Sequence, residues 1–367
     1  MKKVVVGLSG GVDSAVCAYL LKKQGYDVTC IFMRNWDSFV NNEANAEISD
    51  SVCPQEKDYQ DAKSVAEFLE LPIIRVDFIK EYWDYVFTHF LEELKKGYTP
   101  NPDMLCNRYI KFDLFKKEAE KIGADYVATG HYANTENGKL LIAEDTDKDQ
   151  TYFLADVVSG SFDNVLFPLG GYTKTQIREI AKEANLPVFD KKDSTGICFI
   201  GERNYQEFVG NYLKKNCGNI INVDTKEVIG EHTGLMNYTI GQRRNVGLSG
   251  DQERHYVCGK NVEKNELYIA YGDSKYLYSD ECVLENVNLL NNNKDTEVLV
   301  KFRYRGEYVP AILEYLSDGR IKVEYSSLAK SVTPGQACVI YKSNECIGCG
   351  YIREIYKDKE KLWYISC

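Results

Sequence analysis

Two rhythms of apolar and polar positions divide this chain. In the first half, short β-branched runs alternate with stretches of helical periodicity. Residues 3–8, 28–33, 73–77 and 126–129 read as strands, and 14–24, 58–69, 81–96 and 173–185 read as helices, with Gly25 and Gly97 ending two of them. Strand followed by helix, repeated, predicts a parallel sheet covered by helices. Between 39 and 55 the periodicity disappears into a polar, Asn- and Glu-rich stretch that reads as a loop. A second loop spans 97–107, marked by Pro100 and Pro102.

Past about residue 201 the rhythm changes. One more helical pattern covers 204–215. Short alternating runs follow at 220–223, 256–258, 267–270, 298–303, 321–325 and 338–341, separated by turns with Gly and Asn. Such spacing predicts small antiparallel sheets or a barrel. The expected division is an α/β domain over 1–202, a small mixed domain over 203–285 and a β-barrel domain over 286–367. No internal repeat or low-complexity tract interrupts it.

Composition bounds this picture. At 367 residues, 44% of them hydrophobic and 27% charged, the chain is long enough for two or three globular domains. No apolar run is long enough to cross a bilayer. The start, Met1 to Leu8, runs into Ser9 and Asp13 without a cleavage pattern, so it reads as a buried strand, and a cytoplasmic protein with no membrane partner is expected. Twelve cysteines in a chain of this size fit buried thiols, not a disulfide scaffold. The net charge of −10 argues weakly against nucleic acid, whose binding rests on cations meeting phosphates.

Candidate chemistry begins at Gly7-Leu8-Ser9-Gly10-Gly11-Val12-Asp13-Ser14, between an expected strand and an expected helix. Backbone N–H groups converge at such a turn, and the helix dipole adds positive potential. Gly10 and Gly11 admit close approach of an anion, Ser9 and Ser14 add hydroxyls, and Asp13 is a candidate oxygen ligand for Mg2+ beside phosphates. The loop lacks the Gly-Lys-Ser/Thr ending of the kinase and GTPase P-loop and the glycine spacing of a dinucleotide fingerprint. It resembles the pyrophosphate loop of the ATP pyrophosphatase (PP-loop) superfamily. That resemblance implies ATP cleavage to AMP and pyrophosphate, usually with adenylation of a carbonyl oxygen.

Two cysteines stand in special settings. Cys106 ends Thr99-Pro100-Asn101-Pro102-Asp103-Met104-Leu105-Cys106, a stiffened loop before a helix expected near Tyr109, where the dipole would favour thiolate. Asp103 beside it is a candidate for proton exchange with a substrate. Cys198, in Asp193-Ser194-Thr195-Gly196-Ile197-Cys198, is likewise followed by an expected helix. Cys17, Cys30, Cys217, Cys258, Cys282 and Cys338 read as packing residues. The lone Cys346-x-x-Cys349 pair is weak evidence for zinc, and His89, His131, His232 and His255 are too scattered to suggest a metal site.

Taken together, these blocks closely resemble the tRNA-specific 2-thiouridylase (MnmA) family. The matching segments are Gly7–Ser14, Met33–Trp36, Gly97–Phe112, Ala128–Ala133, Asp147–Leu154, Asp193–Gly201 and Tyr238–Arg244. The resemblance implies ATP on Gly7–Ser14 with Met33 and Gly130 near the nucleoside, and Asn101, Pro102 and Asp103 approaching the target base. It also implies tRNA contacts from His131, Lys148, Asp149, Gln150, Arg303, Tyr304 and Gln336. Its architecture is a PP-loop domain, a small central domain and a C-terminal barrel. The sequence departs from the family pattern at Thr151, Asn245, Cys349 and Arg254-His255, none of them in the expected catalytic loops.

The implied reaction is 2-thiolation of the wobble uridine. ATP adenylates the C2 carbonyl oxygen, Cys198 carries a persulfide from a donor protein (a cysteine desulfurase or sulfur relay), and Cys106 closes a disulfide with Cys198 as sulfur stays on the base. The base must leave its stack, and Arg243, Arg244, Arg303, Tyr304 and Arg305 are candidates for holding the RNA, although by pattern alone they read as a solvated surface. Three other readings stay open: a synthetase that adenylates a small carboxylate, a catalytically inactive RNA-binding or sulfur-relay protein, and an iron–sulfur cluster held partly by Cys106 and Cys198.

Overall fold

A five-stranded parallel sheet carries the first half of the chain. The computed structural model describes residues 1–37, 40–41, 54–193, 205–248, 253–291 and 293–367. These form two compact units: residues 1–88, 102–203 and 344–347, and residues 89–101, 204–343 and 348–367.

In the first unit, β1 (Lys3–Gly7) leads into helix α1 (Val12–Lys23), β2 (Asp27–Arg34), helix α2 (Pro54–Phe68) and β3 (Ile73–Asp77). After two helical runs come β4 (Tyr126–Ala128), a hairpin of β5 (Asn134–Glu136) and β6 (Lys139–Leu141), and β7 (Val165–Leu166). The sheet order is β3-β2-β1-β4-β7. Val4, Val5 and Val6 are wholly buried, as expected for a parallel strand covered on both faces. Burying each valine contributes about 1.5–3 kcal/mol. Helix α1 buries Ala15, Val16, Cys17 and Ala18, and helix Lys174–Glu183 packs Ile177 and Ala181 into the same core. The chain leaves β1 for β2 and later returns to its other side as β4. The strand order therefore reverses at β1, which opens a crevice at the carboxyl ends of β1 and β4, where open α/β sheets bind ligands.

Helices cover 79–95 and 102–121, each with an inserted π-helical segment, Trp83–Phe87 and Cys106–Leu114. The loop expected over 97–107 is thus shorter than the prolines suggested. Pro102 opens the second helix: at the first helical position its missing N–H costs nothing and its fixed φ is already helical. Cys106 is the fifth residue of that helix.

The second unit holds a sheet of β8 (Gly218–Asn222), β9 (Val228–His232), β10 (His255–Asn261) and β11 (Glu266–Tyr271), ordered β10-β11-β8-β9. Ile220, Val257, Leu267 and Ile269 fill its core. The expected helix over 204–215 shortens to Tyr205–Gly210 among the described residues. A barrel follows, made of β12 (Tyr278–Leu289), β13 (Glu297–Lys301), β14 (Val309–Tyr315), β15 (Ile321–Lys330), β16 (Ala337–Lys342) and β17 (Glu345–Lys357). Strands run β12-β15-β14-β13-β16-β17, and β12 pairs again with β17, closing six strands, with the β6-β5 hairpin added where Glu345 and Cys346 of β17 pair with β6. The boundary expected near 286 falls inside β12, whose pairing with β15 already begins at Tyr278.

Candidate active site

The Gly-rich loop sits at the crevice. β1 delivers Gly7, Leu8 N–H donates to Ile31 O at 2.9 Å, and α1 starts at Val12. Gly11 is the N-cap and no side chain caps the helix, so the amides of its first turn face the loop without an internal carboxylate or hydroxyl acceptor from the cap residue. The loop holds its own shape: Ser9 N–H donates to Ser14 Oγ at 3.1 Å, and Ser14 Oγ donates to Gly11 O at 3.0 Å. Gly10 has φ +77°, and a Cβ there would lie 2.3 Å from Asp58 O, so this turn admits only glycine. Lys191 Nζ ties the turn to helix α2, donating to Gly10 O (3.1 Å), Asp58 (2.8 Å) and Asp61 (2.6 Å). Those bonds raise the Lys191 pKa against the opposing effect of burial.

Met33 and Gly130 come to the loop. A Cβ on Gly7 would lie 3.3 Å from Met33 Cε, and one on Gly130 would lie 2.9 Å from Asp13 C and Ser14 N. Gly130 follows β4, so the close approach of two crevice loops explains why no side chain stands there. The two ATP expectations outside the loop are therefore beside it in space.

Asp13 is the centre of a polar network that the sequence did not disclose. Tyr132 OH donates to Asp13 Oδ1 at 2.9 Å, and Lys174 Nζ reaches both Asp13 oxygens at 2.7 and 2.9 Å from 161 positions away. Lys174 also pairs with Asp193 Oδ1 at 2.9 Å, Arg178 contacts the same oxygen, and Lys148 Nζ lies 3.6 Å from Asp193 Oδ2. Burial opposes ionisation of Asp193, yet Lys174 and Arg178 hold its carboxyl below the usual range. The only sequence signal for Lys174 was its place in a charge-rich helix opening on Thr173, which caps that helix with a capping box to Gln176.

Cys106 is wholly buried. Burial pushes its thiol up to about 12; Lys111 opposes this and Asp103 adds to it. The expected helix-entrance thiolate is not what the free protein holds, because the thiol sits within a helix and away from water. Asp103 lies half-buried one turn before it. Next to it, Asn107 Nδ2 donates to Phe153 O at 2.9 Å. His131 is buried, with Thr129 Oγ1 2.7 Å from Nδ1 and Lys111 Nζ 3.4 Å from Nε2. An ammonium only donates, so Nε2 accepts and Nδ1 carries the proton toward Thr129. Burial, aided by Lys111, drops the His131 pKa well below its usual value. Lys111 thus serves both Cys106 and His131, a link sequence reasoning missed. Cys198 lies outside the described residues.

Among the other expected tRNA contacts, Asp149 is buried, and its oxygens accept Ala143 N–H (3.0 Å) and Thr151 Oγ1 (2.6 Å). Gln150 Oε1 accepts Tyr132 N–H at 2.9 Å. Gln150 thereby braces Tyr132 behind Asp13, and Asp149 ties Ala143 to Thr151. Pro102 is buried. In the second unit, Arg303, Arg305, Arg243 and Arg244 are exposed, Tyr304 and Asn101 half-buried, and Gln336 Nε2 donates to Thr99 O at 2.8 Å. Cys17, Cys30, Cys258, Cys282, Cys338, Cys346 and Cys349 are buried, whereas Cys217 is exposed and so is not the packing residue expected. Among the described residues no three His, Cys, Asp or Glu side chains are grouped to hold a metal ion.

Known proteins match along the whole chain. Family models described as tRNA methyl transferase HUP domain, tRNA methyl transferase PRC-barrel domain and aminomethyltransferase beta-barrel domain match residues 2–202, 206–271 and 279–352. The tRNA-specific 2-thiouridylase MnmA of Mycoplasmopsis synoviae is 51% identical over 99% of this chain and 99% of its own. The chain belongs to the tRNA-specific 2-thiouridylase (MnmA) family. The Metamycoplasma arthritidis enzyme of the same name is also 51% identical, over 99% of this chain and all of its own. A 4-thiouridine synthetase solved with RNA and bound ATP is 18% identical, covering 57% of this chain and 51% of that one, with a TM-score of 0.34. The methyl-transferase wording of two models and the thiouridylase name of the relatives differ. Full-length identity at one half decides for the MnmA family, and no helix of the described residues is long and apolar enough to cross a membrane.

Proposed function

We propose that this protein is an ATP-dependent tRNA-uridine 2-sulfurtransferase that thiolates the wobble uridine. One observation carries the reading beyond family membership: Gly7–Ser14, Met33 and Gly130, distant in sequence, form one glycine-built cradle with uncapped helix amides at a sheet switch point. Methyl transfer has no need of a polyphosphate cradle. Activation of a carbonyl oxygen by ATP does.

Uracil C2 bears an oxygen that leaves poorly. Attack of that oxygen on the α-phosphorus of ATP expels pyrophosphate and makes AMP the leaving group. The terminal sulfur of a Cys198 persulfide, loaded by a donor protein, attacks C2 and AMP departs; in a second route Cys106 first attacks Cys198 Sγ, the disulfide forms as the outer sulfur is expelled as hydrosulfide, and that hydrosulfide attacks C2. In the first route Cys106 then attacks Cys198 Sγ. The bond between Cys198 and the transferred sulfur breaks, that sulfur stays on the base, and a Cys106–Cys198 disulfide remains for an external thiol to reduce. Asp103 is assigned proton exchange with the substrate, and Cys106 must lose its proton before it attacks. Asp13 supplies the hard oxygen that suits Mg2+, which would screen phosphate charge when bound.

Asn101, Pro102, Asp103, His131, Lys148, Asp149, Gln150, Arg303, Tyr304 and Gln336 are assigned to tRNA, in line with the family resemblance. The exposed arginines 303 and 305 supply local cations that a net charge of −10 conceals. Residues 1–202 are assigned catalysis, 203–285 and the following barrel the holding of tRNA, and the cytoplasm is the expected location. The small-carboxylate and inactive-protein alternatives have no observation in their favour.

The test is thiolation of unmodified tRNA with ATP, magnesium and a sulfur donor, read as 2-thiouridine by mass spectrometry of the digested RNA. Wild type is expected to thiolate and Cys198→Ala to fail. Equal product from both removes the persulfide role of Cys198. Product from neither, with a validated donor, overturns the thiolation reading.

A further inference from the structure

The polar network at Asp13 contains one carboxylate that the cradle does not need. Lys174 is the better buried partner, its side chain 14% exposed, against 42% for Asp193. Arg178, one helical turn along from Lys174, projects from the same face and meets the same carboxylate, and Lys148 approaches from another loop. Three cations thus converge beside the phosphate loop on two carboxylates, Asp13 and Asp193. Asp13 is fixed in the first turn of α1. Asp193 belongs to no helix or strand and is the more exposed, so it can leave for water while the cations stay in place.

We propose that Lys174 and Arg178 bind the phosphates of the nucleotide, and that the Asp193 carboxylate is an internal stand-in which ATP or pyrophosphate must displace. A carboxylate and a phosphoryl group offer the same oxygen acceptors to an ammonium and a guanidinium. With Asp193 gone, Lys174 keeps Asp13, Asp145 stays on the backbone N–H groups of Lys174 and Lys148, and the Asp193 position beside Lys174 and Arg178 is open to a phosphoryl oxygen. With Asp193 docked, one anion position is filled. The apparent affinity for nucleotide is then the intrinsic affinity reduced by the fraction of molecules in which Asp193 has left.

The inference rests on the reading that Gly7–Ser14 holds the triphosphate, and the experiment separates the two. Isothermal titration calorimetry of the full chain with pyrophosphate, and separately with ATP and magnesium, gives binding without any thiolation readout. Failure of wild type to bind either ligand would sink the cradle reading itself and this inference with it. Given wild-type binding, Asp193→Asn is expected to tighten both ligands by about threefold to tenfold, the inverse of the undocked fraction. Asp190→Asn, the same charge change at an exposed neighbour, is expected to leave them within about twofold, since exposed charges act weakly through water and salt. Lys174→Gln and Arg178→Gln are expected to weaken both ligands about tenfold or more, with Lys174→Arg largely restoring binding. An unchanged or weakened Asp193→Asn, or a gain equalled by Asp190→Asn, overturns the stand-in. Unchanged affinity in a folded Lys174→Gln overturns the phosphate role.

Discussion

The proposed nucleotide cradle and the Cys106 helix lie in the same unit and are in opposite states of readiness. The cradle is assembled: its turn is fixed by Ser9, Ser14 and Lys191, and Met33 and Gly130 are already against it. Cys106 has the right residue type but not the right state, since its thiol is buried and protonated. A cradle of backbone amides and glycines is set by local geometry and can wait for its anion. A thiolate cannot wait in a dry interior, because burying its charge costs more than Lys111 returns. On the proposed function, preorganisation belongs to the phosphate chemistry, and activation of Cys106 for the sulfur chemistry comes with substrate.

The contrast can be broken most severely at Gly130. A Cβ at this position would stand 2.9 Å from two backbone atoms of Asp13 and Ser14, so Gly130→Ala must push the loops apart. Displacing the cradle by a fraction of an ångström to an ångström is expected to weaken ATP binding on the order of 100-fold, measured by equilibrium dialysis. Binding within a few-fold of wild type would mean that the cradle is not preformed. Cys106→Ala, by contrast, is expected to abolish tRNA thiolation while leaving ATP affinity within about twofold, since only a buried sulfur is lost.

A thiol held near 12 is about one part in 10,000 thiolate at pH 8. Iodoacetamide mapping of the free native protein at that pH is therefore expected to mark exposed Cys217 well before Cys106, which should react only on unfolding. Early labelling of Cys106 would contradict its closed state. The smallest effect concerns His131. Its pKa is depressed in the folded protein, so the folded state binds fewer protons than the unfolded chain below the unfolded value of about 6.5. Stability is then complete above that pH and falls as pH drops toward the folded value, by up to about 1.4 kcal/mol per unit for this one group. His131→Gln is expected to flatten that slope in urea melts at pH 7.5 and 5.5. Because His232 is depressed too, part of the slope persists, and a slope identical to wild type removes the claim.

By itself the sequence determined the parallel sheet, the glycine-rich turn between strand and helix, and a second half of short strands forming small antiparallel sheets or a barrel, because hydrophobic period and glycine placement act within a few residues. It also singled out Cys106 and Cys198 by their settings before expected helices, and Met33 and Gly130 through family resemblance. What the tertiary structure decided is everything that depends on distance in the chain. Pro102 starts a helix instead of preventing one, which puts Cys106 inside. Gln150 braces Tyr132, and Asp149 turns inward to hold Ala143 and Thr151. Lys174 reaches Asp13 across 161 positions, and Asp193 comes to lie among the same cations. No local rule foretells such pairings. A titratable group's charge state depends on its burial and its neighbours in space, and both exist only once the chain has folded.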